Sequence, residues 1–254
     1  MSEHVRVEKA DGLMTITLNR PERRNAITVA MYAAMADAIE NAGADPSIRL
    51  ISLSGVGEDF TAGNDLADFI AEMPQPGSDV DLPVWRFLRA LAHNVVPILA
   101  TVQGNAVGIG TTMLLHCDLV IAEDGCRFIM PFVDLGLVPE AASSLILPNL
   151  AGRRAAARYL LLGDSFGASD ALRIGIASHV AEREKGFQLR DKLIAAILAK
   201  PPEAMRQTQS LLRKVDVDAV LERMNLENGH FAERLASDEV KQAIMNFFAS
   251  RAKG

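Results

Sequence analysis

Residues 95–110 read VVPILATVQGNAVGIG, an aliphatic run interrupted by one proline and followed by a turn with glycines at 104, 108 and 110. The run predicts a buried strand, and the apolar residues beyond the turn predict a helix. A glycine-rich turn between a strand and a helix leaves backbone N–H groups free at the positive end of the helix dipole. This turn is therefore suited to hold an anion, including one that forms only in a transition state.

A second turn of the same kind lies earlier in the chain. Residues 48–54 predict a short buried strand, and residues 55–66 read GVGEDFTAGNDL before apolar residues return at helical spacing. A single strand that ends in a small-residue turn is common and carries little information. Two such turns that converge on one ligand would form a binding site.

The composition is typical of a globular protein with a large core. The chain has 254 residues, of which 49% are hydrophobic and 23% charged, so folding requires neither a disulfide nor a metal. A net charge of −6 argues against a nucleic-acid partner, which would require basic patches. Cys117 and Cys126 match neither a disulfide framework nor a zinc site, and the histidines lack metal-ligand spacing. We expect no metal site.

Targeting signals are not evident in the sequence. No apolar run has the length of a signal peptide, and none approaches the roughly 18 apolar residues of a membrane span. The two cysteines outside any disulfide pattern indicate a reducing compartment. We therefore expect a cytoplasmic protein without a membrane partner.

The chain changes character near residue 139. Residues 5–7 and 13–18 alternate around Asp11-Gly12 and predict a hairpin. Strands then alternate with helices up to residue 130, which favours an α/β fold. From residue 139 onward the pattern predicts almost only helices.

The segment 73–83, within the first of these regions, is rich in proline and glycine. Such a composition is typical of a lid or a pocket wall.

We divide the chain into a core at 1–195 and a C-terminal helical region at 196–254. The helices of that region carry more apolar positions than one small helical layer can bury. We expect these positions to join subunits, and the alternative is that they cover the α/β core. They are Leu211, Leu212, Val215, Val220, Leu221, Met224 and Phe231.

The two glycine turns, considered together, resemble the signature segments of the crotonase superfamily, the enoyl-CoA hydratase/isomerase family. The resemblance runs from NRP at 19–21 and NA at 25–26 to PP at 201–202, which is nearly the whole chain. It implies an α/β, crotonase-like fold with a spiral core of ββα units. It further implies a homotrimer, or a dimer of trimers, assembled through the C-terminal helices. The implied substrate is an acyl-CoA thioester, with no cofactor other than that coenzyme A.

The resemblance also implies an oxyanion hole of two backbone N–H groups, carried here by Asn64 and Ile109. The family commonly has glycine at the second position, but only the backbone donates, so isoleucine can serve. Removal of a proton beside a thioester places charge on the carbonyl oxygen, and losing one preorganised donor costs on the order of 10²–10³ in rate in a well-studied enzyme.

The coenzyme A end of the site falls on the arginine-rich loop. The resemblance implies that Arg24 and Ala26, with Ala62 and Leu66, border the adenine and phosphates. The residues alone leave two interpretations of the arginines at 20, 23 and 24: a solvated loop or a phosphate clamp. We expect Asn25 and Asp65 to hold turns by side-chain to backbone bonds.

The acid and base positions separate the reactions of this family. Its hydratases use two glutamates, and the matching positions here hold Thr112 and Pro131-Phe132, which are uncharged. Residues 135–144, LGLVPEAASS, resemble the peroxisomal type of 3,2-trans-enoyl-CoA isomerase, in which one glutamate moves the proton. That resemblance makes Glu140 the proton shuttle.

Alternatives remain open at this level. Pro139-Glu140 also fits the start of a helix, with an early proline and an acid near the positive end of the dipole. Asp134 is a second candidate carboxylate, for which a turn or surface role is expected. The chain could instead be a hydratase with relocated acids, another acyl-CoA lyase or hydrolase, or an acyl-CoA-binding subunit without catalysis.

Overall fold

The computed structural model describes residues 2–71, 82–213 and 217–251. The segment interpreted as a lid, 73–83, lies outside the described residues except for its last two positions.

The described residues form eight strands and eleven α-helices, joined by short 3₁₀ turns. The strands are β1 Val5–Ala10, β2 Leu13–Leu18, β3 Leu50–Gly55, β4 Ile98–Val102, β5 Asn105–Val107, β6 Leu119–Glu123, β7 Arg127–Ile129 and β8 His179–Ala181. The helices are α1 Val29–Ala44, α2 Leu66–Ala71, α3 Pro83–His93, α4 Ile109–Thr112, α5 Ser143–Ala151, α6 Arg153–Leu161, α7 Ala168–Arg173, α8 Gly186–Leu198, α9 Pro202–Arg213, α10 Val217–Leu235 and α11 Asp238–Arg251.

Six strands form one mixed sheet in the order β1-β2-β3-β4-β6-β8. The first pair is the predicted antiparallel hairpin, and the remaining neighbours are parallel. Strands β3 and β4 are buried along their whole length, as expected for parallel strands covered on both faces. The α/β class predicted from the sequence is confirmed.

Helices cover the two faces of this sheet. Thr28 caps α1, where its Oγ1 accepts a hydrogen bond from the N–H of Met31 at 3.3 Å, and α1 packs against α3 on one face. Helix α8 covers the other face, where Leu50, Leu99 and Ile121 pack against its apolar side. The predicted boundary at 195/196 falls inside α8, so the two-region division remains a prediction.

The structure contains two short strands that the sequence pattern did not predict. Strand β8 adds to the sheet edge beside β6, within a region expected to be helical. Strand β5 lies inside the second glycine turn and pairs with β7 in a separate parallel sheet. Each has three residues, too few to establish a two-residue alternation, and each is fixed by its distant partner.

The C-terminal apolar positions divide into two groups. Met224 and Phe231 on α10 are buried within their own chain, and Val220 and Leu221 pack on the same core. The prediction that they join subunits is wrong for Met224 and Phe231, because α10 lies on α3 and α5 and buries both side chains in the core. Leu211 and Leu212 on α9 are 72% and 74% exposed. Val215 lies outside the described residues.

Candidate active site

A cleft of about 1200 Å³ lies between the two glycine turns, the segment before α5 and the C-terminal helices. It collects residues that are far apart in the sequence, and Phe231 on α10 closes part of its wall. The structure brings all seven predicted site residues to this cleft. They are Arg24, Ala26, Ala62, Asn64, Leu66, Ile109 and Glu140.

The two turns that bound the cleft are bonded directly to each other. The N–H of Thr61 donates to Asn105 O at 3.0 Å, and the N–H of Val107 donates to Thr61 O at 3.1 Å. Gly63 has a φ of 86°, and a Cβ at this position would lie 2.7 Å from the carbonyl oxygen of Val107. Only glycine allows this conformation and this approach without strain.

Each turn presents one of the two amides predicted for the oxyanion hole. Within the described residues, the N–H groups of Asn64 and Ile109 have no hydrogen-bond acceptor. Their neighbours are bonded: the N–H of Asp65 donates to Ile27 O at 2.9 Å, and that of Gly108 donates to Ile129 O at 2.8 Å. Ile109 begins α4, whose first N–H groups lack intrahelical partners. These amides can therefore hold an oxygen that bears negative charge.

Two side chains hold the first turn as expected. Asn25 is fully buried at a φ of 53°, and its Nδ2 donates to Val56 O and Asp59 O, both at 2.9 Å. Asp65 accepts from Arg20 Nη1 at 2.7 Å. Burial raises the pKa of Asp65, but bonds from Arg20 and from the N–H of Asp68 together lower it below its usual value. Both roles are structural.

The arginine-rich loop follows neither of the two interpretations as a whole. Arg20 faces inward to Asp65 and Ala26 O, so it is not available for a phosphate. Arg23 and Arg24 line the rim of the cleft, and the side chain of Arg24 is 71% exposed. Two of the three cations therefore face the volume in which an anionic ligand would lie.

Glu140 is the buried carboxylate of the cleft. It is 1% exposed, and its Oε1 has no hydrogen-bond partner within the described residues. Burial, together with the negative charge of Glu227, raises the pKa of Glu140 to about 8. A carboxyl group with such a pKa exchanges its proton near neutral pH, as an acid and base catalyst requires.

The backbone after Glu140 explains its position. Ala141 and Ala142 have φ values of 60° and 54°, and α5 begins only at Ser143. The alternative of Glu140 as a helix-start acid is therefore wrong, because these left-handed residues separate it from the helix. The N–H and Oγ of Ser143 both donate to Glu140 O, at 3.0 and 2.6 Å. This turn directs the carboxyl group into the cleft.

A model of the family described as enoyl-CoA hydratase/isomerase matches residues 8–253. The chain belongs to the enoyl-CoA hydratase/isomerase family. It is 31% identical over 257 residues to 1,2-epoxyphenylacetyl-CoA isomerase of Escherichia coli, covering 99% of this chain and 97% of the relative. It is 32% identical over 257 residues to peroxisomal enoyl-CoA delta isomerase 3 of Mus musculus, covering 99% of this chain and 80% of the relative.

Solved structures of the family share this fold. An enoyl-CoA hydratase/isomerase from Pseudoalteromonas atlantica superposes with a TM-score of 0.92 at 39% identity, covering 98% of each chain. OdaA of Pseudomonas aeruginosa superposes with a TM-score of 0.90 at 40% identity, covering 97% of this chain and 99% of the other. The crotonase fold expected from the sequence is confirmed, and the protein is an acyl-CoA enzyme of this family.

The positions that match the hydratase acids of the family are uncharged in the structure as well. Thr112 is buried in α4, and Phe132 forms part of the cleft wall. Four carboxylates line the described cleft, of which Glu22 and Asp134 are exposed and Asp65 is paired with Arg20. Glu140 is the one that is both buried and unpaired within the described cleft.

Two residues that contact the site were not predicted from the sequence, Tyr32 and Glu227. Tyr32 on α1 donates its hydroxyl proton to Asn64 Oδ1, and burial, with the charge of Glu140, raises the pKa of Tyr32 above its usual value. Glu227 on α10 accepts from the N–H groups of Ala142 and Ser144. One signal was present: Glu227 lies on the buried stripe of α10, three residues after Met224 and four before Phe231.

The described residues contain neither a metal site nor a membrane-spanning helix. Within the described ranges 2–71, 82–213 and 217–251, no three histidine, cysteine or acidic side chains cluster as a metal site would require. Among the described helices, none combines the length and apolar character needed to cross a bilayer.

Proposed function

We propose that the protein is a Δ3,Δ2-enoyl-CoA isomerase in which Glu140 moves one proton between two carbons of the acyl chain. One observation carries the proposal: among the described residues of the cleft, a single carboxylate is buried and unpaired, and it shares the cleft with two amides that lack acceptors there. A double-bond shift needs one proton removed and one returned, which a single carboxylate can perform. Hydration would require an additional group to activate water.

The proposed reaction proceeds in two steps. Glu140 removes a proton from C2 of a 3-enoyl-CoA, so the C2–H bond breaks and a carboxyl O–H bond forms. The electron pair spreads over a dienolate whose thioester oxygen accepts hydrogen bonds from the N–H groups of Asn64 and Ile109. Glu140 then delivers its proton to C4, and the double bond lies between C2 and C3. The carboxylate is regenerated.

The coenzyme A end of the substrate is assigned to the arginine-lined rim. Ala26, Ala62 and Leu66 form a low wall along which the pantetheine and adenine can lie, and Arg24 beside them can pair with phosphate. No cofactor enters the proposed chemistry beyond the coenzyme A that the substrate carries.

Exposed apolar side chains bear on the assembly, and free cysteines bear on the location of the protein. We propose a homotrimer, or a dimer of trimers, supported by the exposed leucines of α9. We propose a cytoplasmic location, supported by two cysteines that are both free thiols.

The family offers other reactions on acyl-CoA thioesters. Relatives of this chain include 4-chlorobenzoyl coenzyme A dehalogenase-2 of Arthrobacter, at 32% identity, and 2,3-dehydroadipyl-CoA hydratase of Escherichia coli, at 28%. The absence of charge at positions 112 and 132 supports isomerisation over hydration. A subunit that binds acyl-CoA without catalysis is the other rival.

The experiment compares 3-hexenoyl-CoA with crotonyl-CoA as substrates. We expect 2-hexenoyl-CoA to form from the first and no hydration of the second. Glu140→Gln should reduce kcat by about 10²–10⁴-fold, because it removes the proton carrier. Asp134→Asn, in the exposed carboxylate of the same cleft, should cost less than about fivefold. Hydration of crotonyl-CoA without double-bond migration would reject the proposal, and tight binding without turnover of any acyl-CoA would identify a non-catalytic subunit.

A further inference from the structure

We propose that Glu227 is a positioning residue that holds Glu140 in its reactive place through the main chain of the turn between them. The inference rests on the proposed function of Glu140. It adds a residue from the C-terminal helix α10 to a site that the two glycine turns and the segment before α5 otherwise define.

The contacts of Glu227 converge on the turn that carries Glu140. Its Oε2 accepts from the N–H of Ala142 at 2.6 Å, and its Oε1 accepts from the N–H of Ser144 at 2.9 Å. The residue is 5% exposed. Both oxygens of one carboxylate are thus used to hold two main-chain donors, and such charge-assisted bonds are stronger than neutral ones.

The turn needs this external support because of its own sequence. Ala142 occupies the N-cap position of α5 and has no side-chain oxygen that could accept from the helix N–H groups. Ala141 and Ala142 are also left-handed, a conformation that residues other than glycine rarely adopt without support. His116 also holds this turn, donating from Nε2 to Ala141 O at 2.8 Å.

A local serine at position 142 would cap the helix at lower electrostatic cost than a buried acid on a distant helix. Glu227 lies close enough to Glu140 for its negative charge to raise the pKa of Glu140, which a neutral serine cap would not do. This second effect, an increase in the proton affinity of Glu140, is what distinguishes a positioning residue for proton transfer from a helix cap.

Among the residues that the structure describes, few charged or titratable groups surround Glu140. Tyr32 faces it from α1, and burial keeps the pKa of this phenol above its usual value. Burial lowers the pKa of His116 to about 4, so the ring is neutral and gives no charge to Glu140. Burial raises the pKa of Glu227 above its usual value, while Arg223 and the two N–H groups act in the opposite direction. Asp134 is exposed on the cleft wall.

The test compares Glu227→Gln with Glu233→Gln, an exposed acid on the same helix. In Glu227→Gln the charge is lost and one oxygen must replace two, so kcat should fall about 10²-fold with little change in KM. The acidic limb of the pH profile should move down by about one pH unit, because the neighbouring negative charge is gone. Glu233→Gln should match wild type in kcat and in the position of the acidic limb.

Glu227→Asp separates the two effects. It keeps the charge but is one methylene too short to hold both N–H groups, so kcat should fall while the acidic limb moves by less than half the shift in Glu227→Gln. This variant also supplies the test if Glu227→Gln does not fold. Wild-type kcat in either variant, or an unmoved limb in Glu227→Gln, would overturn the inference.

A titration that needs no turnover separates this inference from the proposed function. The carboxyl carbon of Glu140 can be followed by ¹³C NMR in ligand-free protein labelled at glutamate, with Glu140→Gln used to assign the signal. A lower midpoint in Glu227→Gln than in wild type is expected even if the enzyme proves not to be an isomerase. An unchanged midpoint would overturn the inference while leaving the isomerase proposal standing.

Discussion

Glu140 combines two properties that carboxylates in folded proteins usually avoid. It is buried, and one of its oxygens has no hydrogen-bond partner within the described residues. Such a group is costly to ionise, because no donor replaces the water it has lost. The cost is useful at a site of proton transfer, since it raises the pKa of Glu140 to about 8 and strengthens the carboxylate as a base.

The pH dependence of catalysis follows directly from this pKa. Glu140 must be ionised to remove the C2 proton, so kcat/KM should rise about tenfold per pH unit below pH 8 and level off above it. Initial rates with 3-hexenoyl-CoA between pH 5.5 and 9.5 provide the measurement. A flat profile between pH 5.5 and 7.5 would contradict the role of Glu140 as the base.

The same residue should limit stability at high pH. Its folded pKa of about 8 lies above the ordinary value of 4.5, so the free energy of unfolding falls as pH rises between these values. Glu140→Gln does not titrate and should be more stable than wild type by about 2–4 kcal/mol at pH 8.5, with little difference at pH 5. Urea unfolding at the two pH values tests this expectation. The same difference in unfolding free energy between variant and wild type at both pH values would contradict it.

Residue-level prediction was possible where a short segment carries the information. Asn64, Ile109 and Glu140 were assigned through the resemblance of their segments to those of the family, and the structure brings them to one cleft, while their roles stay predictions. Glu227 could not be found in this way, because its partners Ala142 and Ser144 lie more than 80 residues away. Nothing in the sequence around an acid on a helix reveals from which distant N–H groups it accepts hydrogen bonds.

At the level of elements, the site depends on two turns that form one interlocked unit. The bridge between Thr61 and Ala106 joins them, and strand β5 pairs with β7 directly behind. The amides of Asn64 and Ile109 therefore belong to a single hydrogen-bonded framework. Preorganised donors of this kind need no rearrangement when charge develops on the thioester oxygen.

Gly63 is the position at which this framework is most sensitive. Gly63→Ala adds a Cβ that would lie 2.7 Å from Val107 O at a left-handed backbone, so the two turns must separate. We expect a stability loss of about 1–3 kcal/mol. The fall in kcat should be about 10²-fold, because the amides lose their alignment. Thermal unfolding and steady-state kinetics supply both measurements.

Gly229, within α10, is the matched control for this substitution. A Cβ there meets nothing within 4 Å, so Gly229→Ala should leave kcat unchanged and stabilise the helix by about 0.5–1 kcal/mol. Equal kinetic effects at the two positions would show that the turn geometry is not the cause.

Long elements were predictable and short ones were not. The hairpin follows from alternating apolar residues and the strands β3 and β4 from continuous apolar runs, and all are present. Helix α5 starts only at Ser143, although the pattern predicts helices from residue 139 onward, because support from Glu227 and His116 stabilises left-handed alanines that a propensity scale assigns to a helix. The strand β8 likewise depends on its pairing with β6.

The whole chain contributes to the cleft. Its floor comes from the α/β core, and part of its wall comes from α10 and α11. The C-terminal helices therefore serve the site of their own chain, in addition to any contact between subunits. The sequence indicated a surplus of apolar residues there but did not distinguish the two uses, since both bury the same kinds of side chain.

Subunit association should depend on α9 rather than on α10. Leu211 and Leu212 are exposed in the single chain, whereas Met224 and Phe231 are buried in it. Replacing both leucines by serine should lower the mass seen by sedimentation from that of a trimer or hexamer toward that of a monomer, since the apolar contact is lost. An unchanged mass would show that subunits, if they associate, do so through another surface.

A structure of the Glu140→Gln variant with bound 3-hexenoyl-CoA tests the central claim most directly. The account predicts the thioester oxygen within about 3 Å of both the Asn64 and the Ile109 nitrogen, with side chain 140 facing C2 and C4 from one side. A thioester oxygen bonded to neither amide, or an acyl chain that passes on the far side of the cleft from residue 140, would contradict it.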